Sequence, residues 1–135
     1  MTTCDILVLG LGAMGSAAAY QLAKRGVKVR VLLNDDSSFG DENSSVRPEE
    51  KNSATLSYLQ RQAAQGNLPI EAAAFNFQAL QVNYVHNKGM VADGTRAFVS
   101  SINGTENSIM YNREVAVAVD SSDAARFFGD VFNLD

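Results

Sequence analysis

The pattern of apolar and polar positions predicts a strand, a helix and a second strand at the start of the chain. Ile6–Leu9 is a continuous apolar run that ends in glycine, which is typical of a strand buried on both faces. Residues 16–25 are rich in alanine and leucine and predict a helix that stops at Gly26. Residues 27–33 predict a second buried strand. A strand–helix–strand unit of about 30 residues should have parallel strands and a right-handed crossover.

The rest of the chain predicts a polar loop, two helices and four strands. The loop, residues 34–52, is long for a compact domain, which favours disorder over a functional lid. Leu56, Leu59 and Ala63 recur at helical spacing and should face the sheet. The predicted helices are 54–65 and 124–134, and the predicted strands are 69–77, 84–92, 95–102 and 113–119. We therefore expect a single α/β domain over residues 1–135, with a mixed, largely parallel sheet flanked by helices.

Composition and charge narrow the possible functions. The chain is 46% hydrophobic and 19% charged, as in a soluble globular protein. Its formal net charge of -4 argues against broad, charge-driven binding of nucleic acid but leaves a local basic pocket open. With Cys4 as its single cysteine, it forms no internal disulfide. We expect no membrane span, because the apolar runs are too short. The N-terminus lacks the features of a signal peptide, so the cytoplasm is the expected location.

Two predicted strands bring several polar side chains together. His86 and Lys88 are two residues apart and share one face of a strand. Asp93 and the glycine after it form a hairpin turn signal. The returning strand can therefore place Ser101 and Asn103 near His86 and Lys88.

These residue types suit a phosphate site that works without a metal. Lysine neutralises phosphate charge, and the amide of asparagine donates hydrogen bonds to phosphate oxygens. Histidine titrates near neutral pH and can attack phosphorus or protonate a leaving oxygen. An isolated His-x-Lys would more often be a solvated surface pair.

The order and spacing of this segment resemble the signature of the phospholipase D superfamily. His-x-Lys ends at Lys88, and four residues separate it from Asp93. After six more residues comes a pair of small residues, and one further residue separates that pair from Asn103. The Asn-Arg-Glu run at residues 112–114 is similar to the strand that follows the motif in many members. The resemblance covers residues 24–135 and departs from the family at Ser100, usually glycine, and at Gly104, often a bulky aromatic.

The resemblance implies a metal-independent phosphodiesterase. His86 would be the nucleophile or the general acid, while Lys88 and Asn103 would hold the phosphate with support from Ser101. Asp93 would brace the motif.

The resemblance also implies that Glu114 accepts a hydrogen bond from the imidazole and fixes its tautomer. Because that mechanism needs two histidines and this chain has one, the resemblance implies a C2 homodimer and an inactive monomer.

A second resemblance lies at the N-terminus. Gly10, Gly12 and Gly15 form a G-x-G-x-x-G run between a predicted strand and helix, as a dinucleotide-binding turn requires. Residues 1–30 resemble FAD-dependent amine oxidases of the sarcosine oxidase type, which implies FAD or NAD as a cofactor. The acidic residue of that family is missing, because Leu33 stands at its position and Asp35 lies two residues further on. The alternative is that these glycines only make a strand-to-helix turn.

Both resemblances meet near the second predicted strand. We therefore expect a Rossmann-like βαβ start, residues 1–30, joined to a phospholipase D-like half-domain, residues 31–135. A recombined or engineered chimera is one hypothesis that explains both. Three interpretations follow: a phosphodiesterase half-site without a cofactor, a dinucleotide-binding module, or a folded scaffold without activity, which is favoured for the chain as it stands.

Overall fold

Six strands form one sheet in the computed structural model, which describes residues 5–9, 12–37, 48, 51–75, 77, 85–103 and 106–134. The strands are β1 (Ile6–Leu9), β2 (Val29–Leu33), β3 (Ile70–Ala74), β4 (Lys88–Ala92), β5 (Arg96–Ser100) and β6 (Ala116–Asp120). The helices are α1 (Gly12–Ala23), α2 (Asn52–Gly66), α3 (Glu106–Met110) and α4 (Ser122–Leu134). None of the helices in these residues has the length and apolar character needed to span a bilayer.

The sheet is mixed, but the expectation that it is largely parallel is wrong. The strand order is β3-β2-β1-β4-β5-β6. β1 pairs with β2, and β2 with β3, in parallel. β1 pairs with β4, β4 with β5, and β5 with β6, in antiparallel. The reason is that β4 lies beside β1 in the opposite direction. A tight hairpin then leads to β5, and a longer connection that contains α3 leads to β6, so each of these strands reverses direction.

Helices cover both faces of the sheet. Residues alternate faces along β2, so Val31 and Leu32 join different clusters. Val31 packs with Ala19 of α1 and Leu59 of α2, and Leu32 packs with Phe132 of α4. The prediction that one face of α2 is apolar is confirmed, because Leu59 is fully buried, and Leu56 and Ala63 pack against the same cluster.

Several predicted element bounds need correction. α1 begins at Gly12, four residues before the predicted start, so Gly12 and Gly15 are helical. β4 begins at Lys88, which leaves residues 85–87 outside the strand. β6 begins at Ala116 and α3 was not predicted, since five residues are too few to show helical periodicity. Most of the loop predicted at 34–52 lies outside the described residues.

The hairpin between β4 and β5 follows the prediction from its turn residues. Asp93 and Gly94 have φ values of 51° and 61°, and Thr95 N–H donates to the carbonyl of Ala92 at 3.1 Å. Positive φ at both central positions matches the right-handed twist of the strands, and aspartate and glycine tolerate it best. The turn fixes the register in which Lys88 pairs with Ser100.

Replacement of Leu59 by alanine should lower the free energy of unfolding by about 2–5 kcal/mol, because it leaves a cavity between α2 and the sheet. Urea denaturation followed by circular dichroism measures the change. Leu134→Ala is the matched control: Leu134 is 74% exposed, so its truncation should cost less than about 0.5 kcal/mol. Equal losses in both variants would contradict the assignment of Leu59 to the core.

Candidate functional site

The candidate site lies at one end of the sheet. Lys88 is the first residue of β4 and pairs with Ser100, the last residue of β5. At this end Leu9, the last residue of β1, pairs with Gly89. The carboxyl ends of the parallel strands β1 and β2 therefore lie at the same edge as Lys88. Ligands of α/β sheets commonly bind outside the carboxyl ends of parallel strands.

Lys88 carries a charged group into a buried position. The residue is only 6% exposed, and its Nζ donates a hydrogen bond to the carbonyl oxygen of His86 at 2.6 Å. Burial lowers the pKa of Lys88, and the charge of Glu114 opposes that shift. A buried ammonium group is costly unless it is paired, which is why such groups are concentrated at functional sites.

Glu114 is the acceptor at the centre of a side-chain cluster. Its Oε2 accepts a hydrogen bond from Ser101 Oγ at 2.5 Å. Its Oε1 accepts from Asn112 Nδ2 at 3.2 Å and from the hydroxyl of Ser108. These bonds hold the pKa of Glu114 below its ordinary value, with Ser101 the largest cause and Lys88 a smaller one. The carboxylate is therefore kept charged and is fixed by its hydrogen bonds to Ser101, Ser108 and Asn112.

Ser108 connects this cluster to the segment that carries Asn103. Its side chain lies on α3 and is 2% exposed. Ser108 Oγ accepts a hydrogen bond from the backbone N–H of Asn103 at 3.0 Å and donates to Glu114. Sequence reasoning missed Ser108, and a small residue in an unpredicted helix gives no signal by itself.

His86 and Asn103 flank the cluster. His86 lies two residues before β4, and its carbonyl is held by Lys88. Asn103 follows β5 by three residues, and both residues are exposed. The structure thus joins Ser101 and Glu114 by a hydrogen bond and places Lys88 within the electrostatic reach of Glu114. His86 is tied to Lys88, and Asn103 to Ser108, through backbone atoms.

Asp93 lies away from this cluster, at the other end of β4. Five residues separate it from Lys88, which is about 16 Å along a strand. Its backbone N–H donates to the carbonyl of Asp5 at 2.6 Å, which links the hairpin turn to the residue before β1. Direct contact with a phosphate at Lys88 is therefore out of reach for Asp93, and its bracing role stays a prediction.

Asn34 is a second residue that sequence reasoning missed. It follows β2, and its side-chain amide makes two hydrogen bonds of 2.7 Å with the N–H and the C=O of Val85. Val85 immediately precedes His86. A contact across 51 residues leaves no local pattern in the sequence.

The structure describes only part of the G-x-G-x-x-G run. Gly12 and Gly15 lie in the first turn of α1, whereas Gly10 lies outside the described residues. The cofactor-binding role of these glycines stays a prediction. Among the described residues, no group of three or more histidine, cysteine, aspartate or glutamate side chains could hold a metal ion.

A family model matches nearly the whole chain. Residues 8–135 match the family described as cardiolipin synthase, phospholipase D-like domain. The chain therefore belongs to this family of phospholipase D-like domains.

Solved structures show the same fold. NucT from Helicobacter pylori superposes with a TM-score of 0.66 and 17% identity, covering 95% of this chain and 76% of that one. Nuc from Salmonella typhimurium, a phospholipase D family member, gives a TM-score of 0.62 and 19% identity, with 98% and 76% coverage. TrmBL2, an archaeal chromatin protein, superposes with a TM-score of 0.55 and 16% sequence identity, covering 96% of this chain and 42% of that one.

A short match supports the second resemblance. A probable sarcosine oxidase from Arabidopsis thaliana is 59% identical over 32 residues. The match spans 24% of this chain and 8% of that relative's length. It therefore concerns one segment and says nothing about the rest of the chain.

Ser108→Ala should raise the pKa of Glu114, because the carboxylate loses one of the hydrogen bonds that stabilise its charged form. In the wild-type protein the carboxyl pKa is depressed, so its contribution to stability is present above the unfolded-state pKa and is lost as pH falls through the folded-state pKa. In Ser108→Ala that loss should occur at higher pH. A carbon NMR titration of the glutamate carboxyl groups measures the shift.

Ser57→Ala is the control for this prediction, since Ser57 is an exposed residue of α2. Its replacement should leave the titration of Glu114 unchanged. A Glu114 pKa that does not move in Ser108→Ala would contradict the hydrogen bond between the two side chains.

Proposed function

We propose that this chain is half of a metal-independent phosphodiesterase site, which two copies complete by pairing about a two-fold axis. The observation that carries the proposal is the buried Lys88, whose ammonium group is bonded to the carbonyl of His86 and feels the charge of the Glu114 carboxylate. A fixed cation of this kind is suited to stabilise charge that develops on phosphate oxygens. Membership of the phospholipase D-like family supports the same reaction class.

The proposed reaction has two displacements. In the first, the imidazole of His86 in one copy attacks phosphorus, a P–N bond forms, and the P–O bond to the leaving alcohol breaks. His86 of the second copy gives its proton to the departing oxygen. In the second, that imidazole takes a proton from water, the water oxygen attacks phosphorus, and the P–N bond breaks to free the first imidazole.

The other residues of the cluster support these steps. Lys88 and Asn103 are proposed to bind the non-bridging phosphate oxygens, with support from Ser101, the residue that follows β5. Glu114 is proposed to accept a hydrogen bond from the second nitrogen of the imidazole, as the family implies. Asp93 is proposed to brace the β4–β5 hairpin from its far end.

A homodimer is required because each copy supplies one histidine. Apolar side chains next to Glu114 support a contact surface at this place. Met110, Tyr111 and Val115 are 66%, 75% and 70% exposed. Met110 ends α3, and the other two lie in the segment between α3 and β6 that carries Glu114. Exposed apolar side chains that cluster in this way are typical of interaction sites.

His86→Ala should reduce hydrolysis of bis(p-nitrophenyl) phosphate by at least about 10³-fold, because the nucleophile and the acid are both lost from the paired site. Release of p-nitrophenolate measures the rate. Addition of a chelator should leave the wild-type rate unchanged. Chelator-sensitive turnover, or turnover that survives His86→Ala, would contradict the proposed chemistry.

Tyr111→Glu should shift the protein from dimer to monomer and remove activity together with the dimer, because a carboxylate would be buried against the second copy. Light scattering measures the mass and p-nitrophenolate release measures the rate in the same samples. Leu134→Glu is the control, since Leu134 is equally exposed at the end of α4. Turnover by a monomer would contradict the proposal that two copies share one site.

A dinucleotide-binding module is the second candidate function. The observation that favours it is the match of 32 residues to a probable sarcosine oxidase. In that role Gly10, Gly12 and Gly15 would admit the pyrophosphate of FAD or NAD near the start of α1. A chimeric origin would account for this segment, and a scaffold without activity is the outcome if neither site works.

A further inference from the structure

The side chain of Asn34 pairs with the backbone of Val85 in the way a neighbouring strand would. Asn34 Nδ2 donates to the carbonyl oxygen of Val85 at 2.7 Å, and Asn34 Oδ1 accepts from the N–H of Val85 at 2.7 Å. A primary amide has a donor side and an acceptor side, so it can satisfy both groups of one peptide residue at once. The contact joins the end of β2 to the residue immediately before His86.

Val85 needs such a partner because it lies outside the strands. It is partly buried and packs against the cluster that contains Leu32 and Phe132. A partly buried N–H and C=O must be hydrogen-bonded, and the strand ladder between β1 and β4 starts only near Gly89. The side chain of Asn34 therefore replaces the missing ladder at this point.

The backbone is held on the other side of His86 as well. Lys88 Nζ donates to the carbonyl oxygen of His86 at 2.6 Å. Asn34 is itself tied to α2, because Asn52 Nδ2 donates to the carbonyl oxygen of Asn34 at 3.0 Å. The residue that bears the imidazole thus lies between two anchored points, one on each side.

We propose that Asn34 is a positioning residue that holds the backbone of His86 in place for its reaction with phosphorus. An attacking group loses rate steeply when its position is displaced, by up to about 10²-fold for 1 Å. This inference rests on the proposed function of His86, whereas the restraint on its backbone can be tested without any activity.

The chemistry of the pairing requires an amide at residue 34. In Asn34→Asp a charged carboxylate can accept from the N–H of Val85 but turns its second oxygen toward the carbonyl oxygen of Val85. A protonated carboxyl group has one O–H donor and one acceptor, so it restores both hydrogen bonds. The introduced carboxyl group should therefore have a pKa above the ordinary value for aspartate.

The experiment compares wild-type protein with Asn34→Asp, Asn34→Ala and the control Asn133→Asp. Asn133 is exposed on α4, where its Oδ1 accepts from Arg30, and a carboxylate can keep that bond. Two readouts are taken: kcat and KM on bis(p-nitrophenyl) phosphate, and the proton NMR titration of the imidazole. His86 is the single histidine of the chain, so its signal needs no assignment.

We expect Asn34→Asp and Asn34→Ala to lower kcat by about tenfold to a hundredfold with little change in KM. Both should also broaden or shift the imidazole signal, and Asn133→Asp should do neither. The alanine variant separates loss of the hydrogen bonds from the effect of a new charge. In Asn34→Asp, the imidazole signal and the stability should approach the wild-type behaviour as the introduced carboxyl group is protonated.

The outcomes are distinguishable from failure of the proposed function. Wild-type protein without turnover would remove the reaction, yet an altered imidazole signal in Asn34→Ala would still support the positioning role. An imidazole signal and a kcat per folded molecule that are unchanged in both Asn34 variants would overturn the role of Asn34. If Asn34→Asp unfolds at neutral pH, Asn34→Ala decides the matter.

Discussion

Burial of the Lys88 ammonium group is the constraint on which the arrangement of the site depends. A cation that has lost most of its water must be compensated by fixed oxygen atoms. The carbonyl oxygen of His86 provides direct compensation, and the Glu114 carboxylate provides it through its charge. The segment before β4 and the segment before β6 are therefore both organised around one charge.

Serine and asparagine side chains hold in place the Glu114 carboxylate that compensates the charge of Lys88. Ser101 and Ser108 each donate to Glu114, and Ser108 also accepts from the backbone of Asn103. Each of these groups has a hydrogen-bond partner within the protein, which fixes the polar network before any ligand arrives. A preorganised network of this kind needs little rearrangement when charge develops on a bound phosphate.

Much of the fold could be predicted from the sequence because its signals are local. The β4–β5 hairpin follows from Asp93 and Gly94, which accept positive φ, and the apolar face of α2 follows from the spacing around Leu59. The direction of β4 beside β1 could not be predicted in this way. Apolar periodicity says that a strand is buried, but it does not say which strand lies next to it or in which direction that strand runs.

The candidate site also contains residues that the sequence indicated and residues that it did not. Ser101 and Glu114 are hydrogen-bonded and Lys88 feels the charge of Glu114, whereas the roles that the family resemblance implies for them stay predictions. Asn34 and Ser108 were missed because they act through single hydrogen bonds to distant backbone atoms. No residue spacing encodes such contacts, so they become visible only in three dimensions.

The position of β6 at the edge of the sheet offers a second way for two copies to associate, and that way would not complete the proposed site. All five residues of β6 are exposed, Val117 by 52% and Val119 by 38%, so its outer edge can template a strand from another chain. If two copies joined edge to edge through antiparallel β6 strands centred on Ala118, Ala116 of each would pair with Asp120 of the other. The two histidines would then be at opposite ends of one continuous sheet. Self-association by that route would close at a dimer in which the two imidazoles remain far apart.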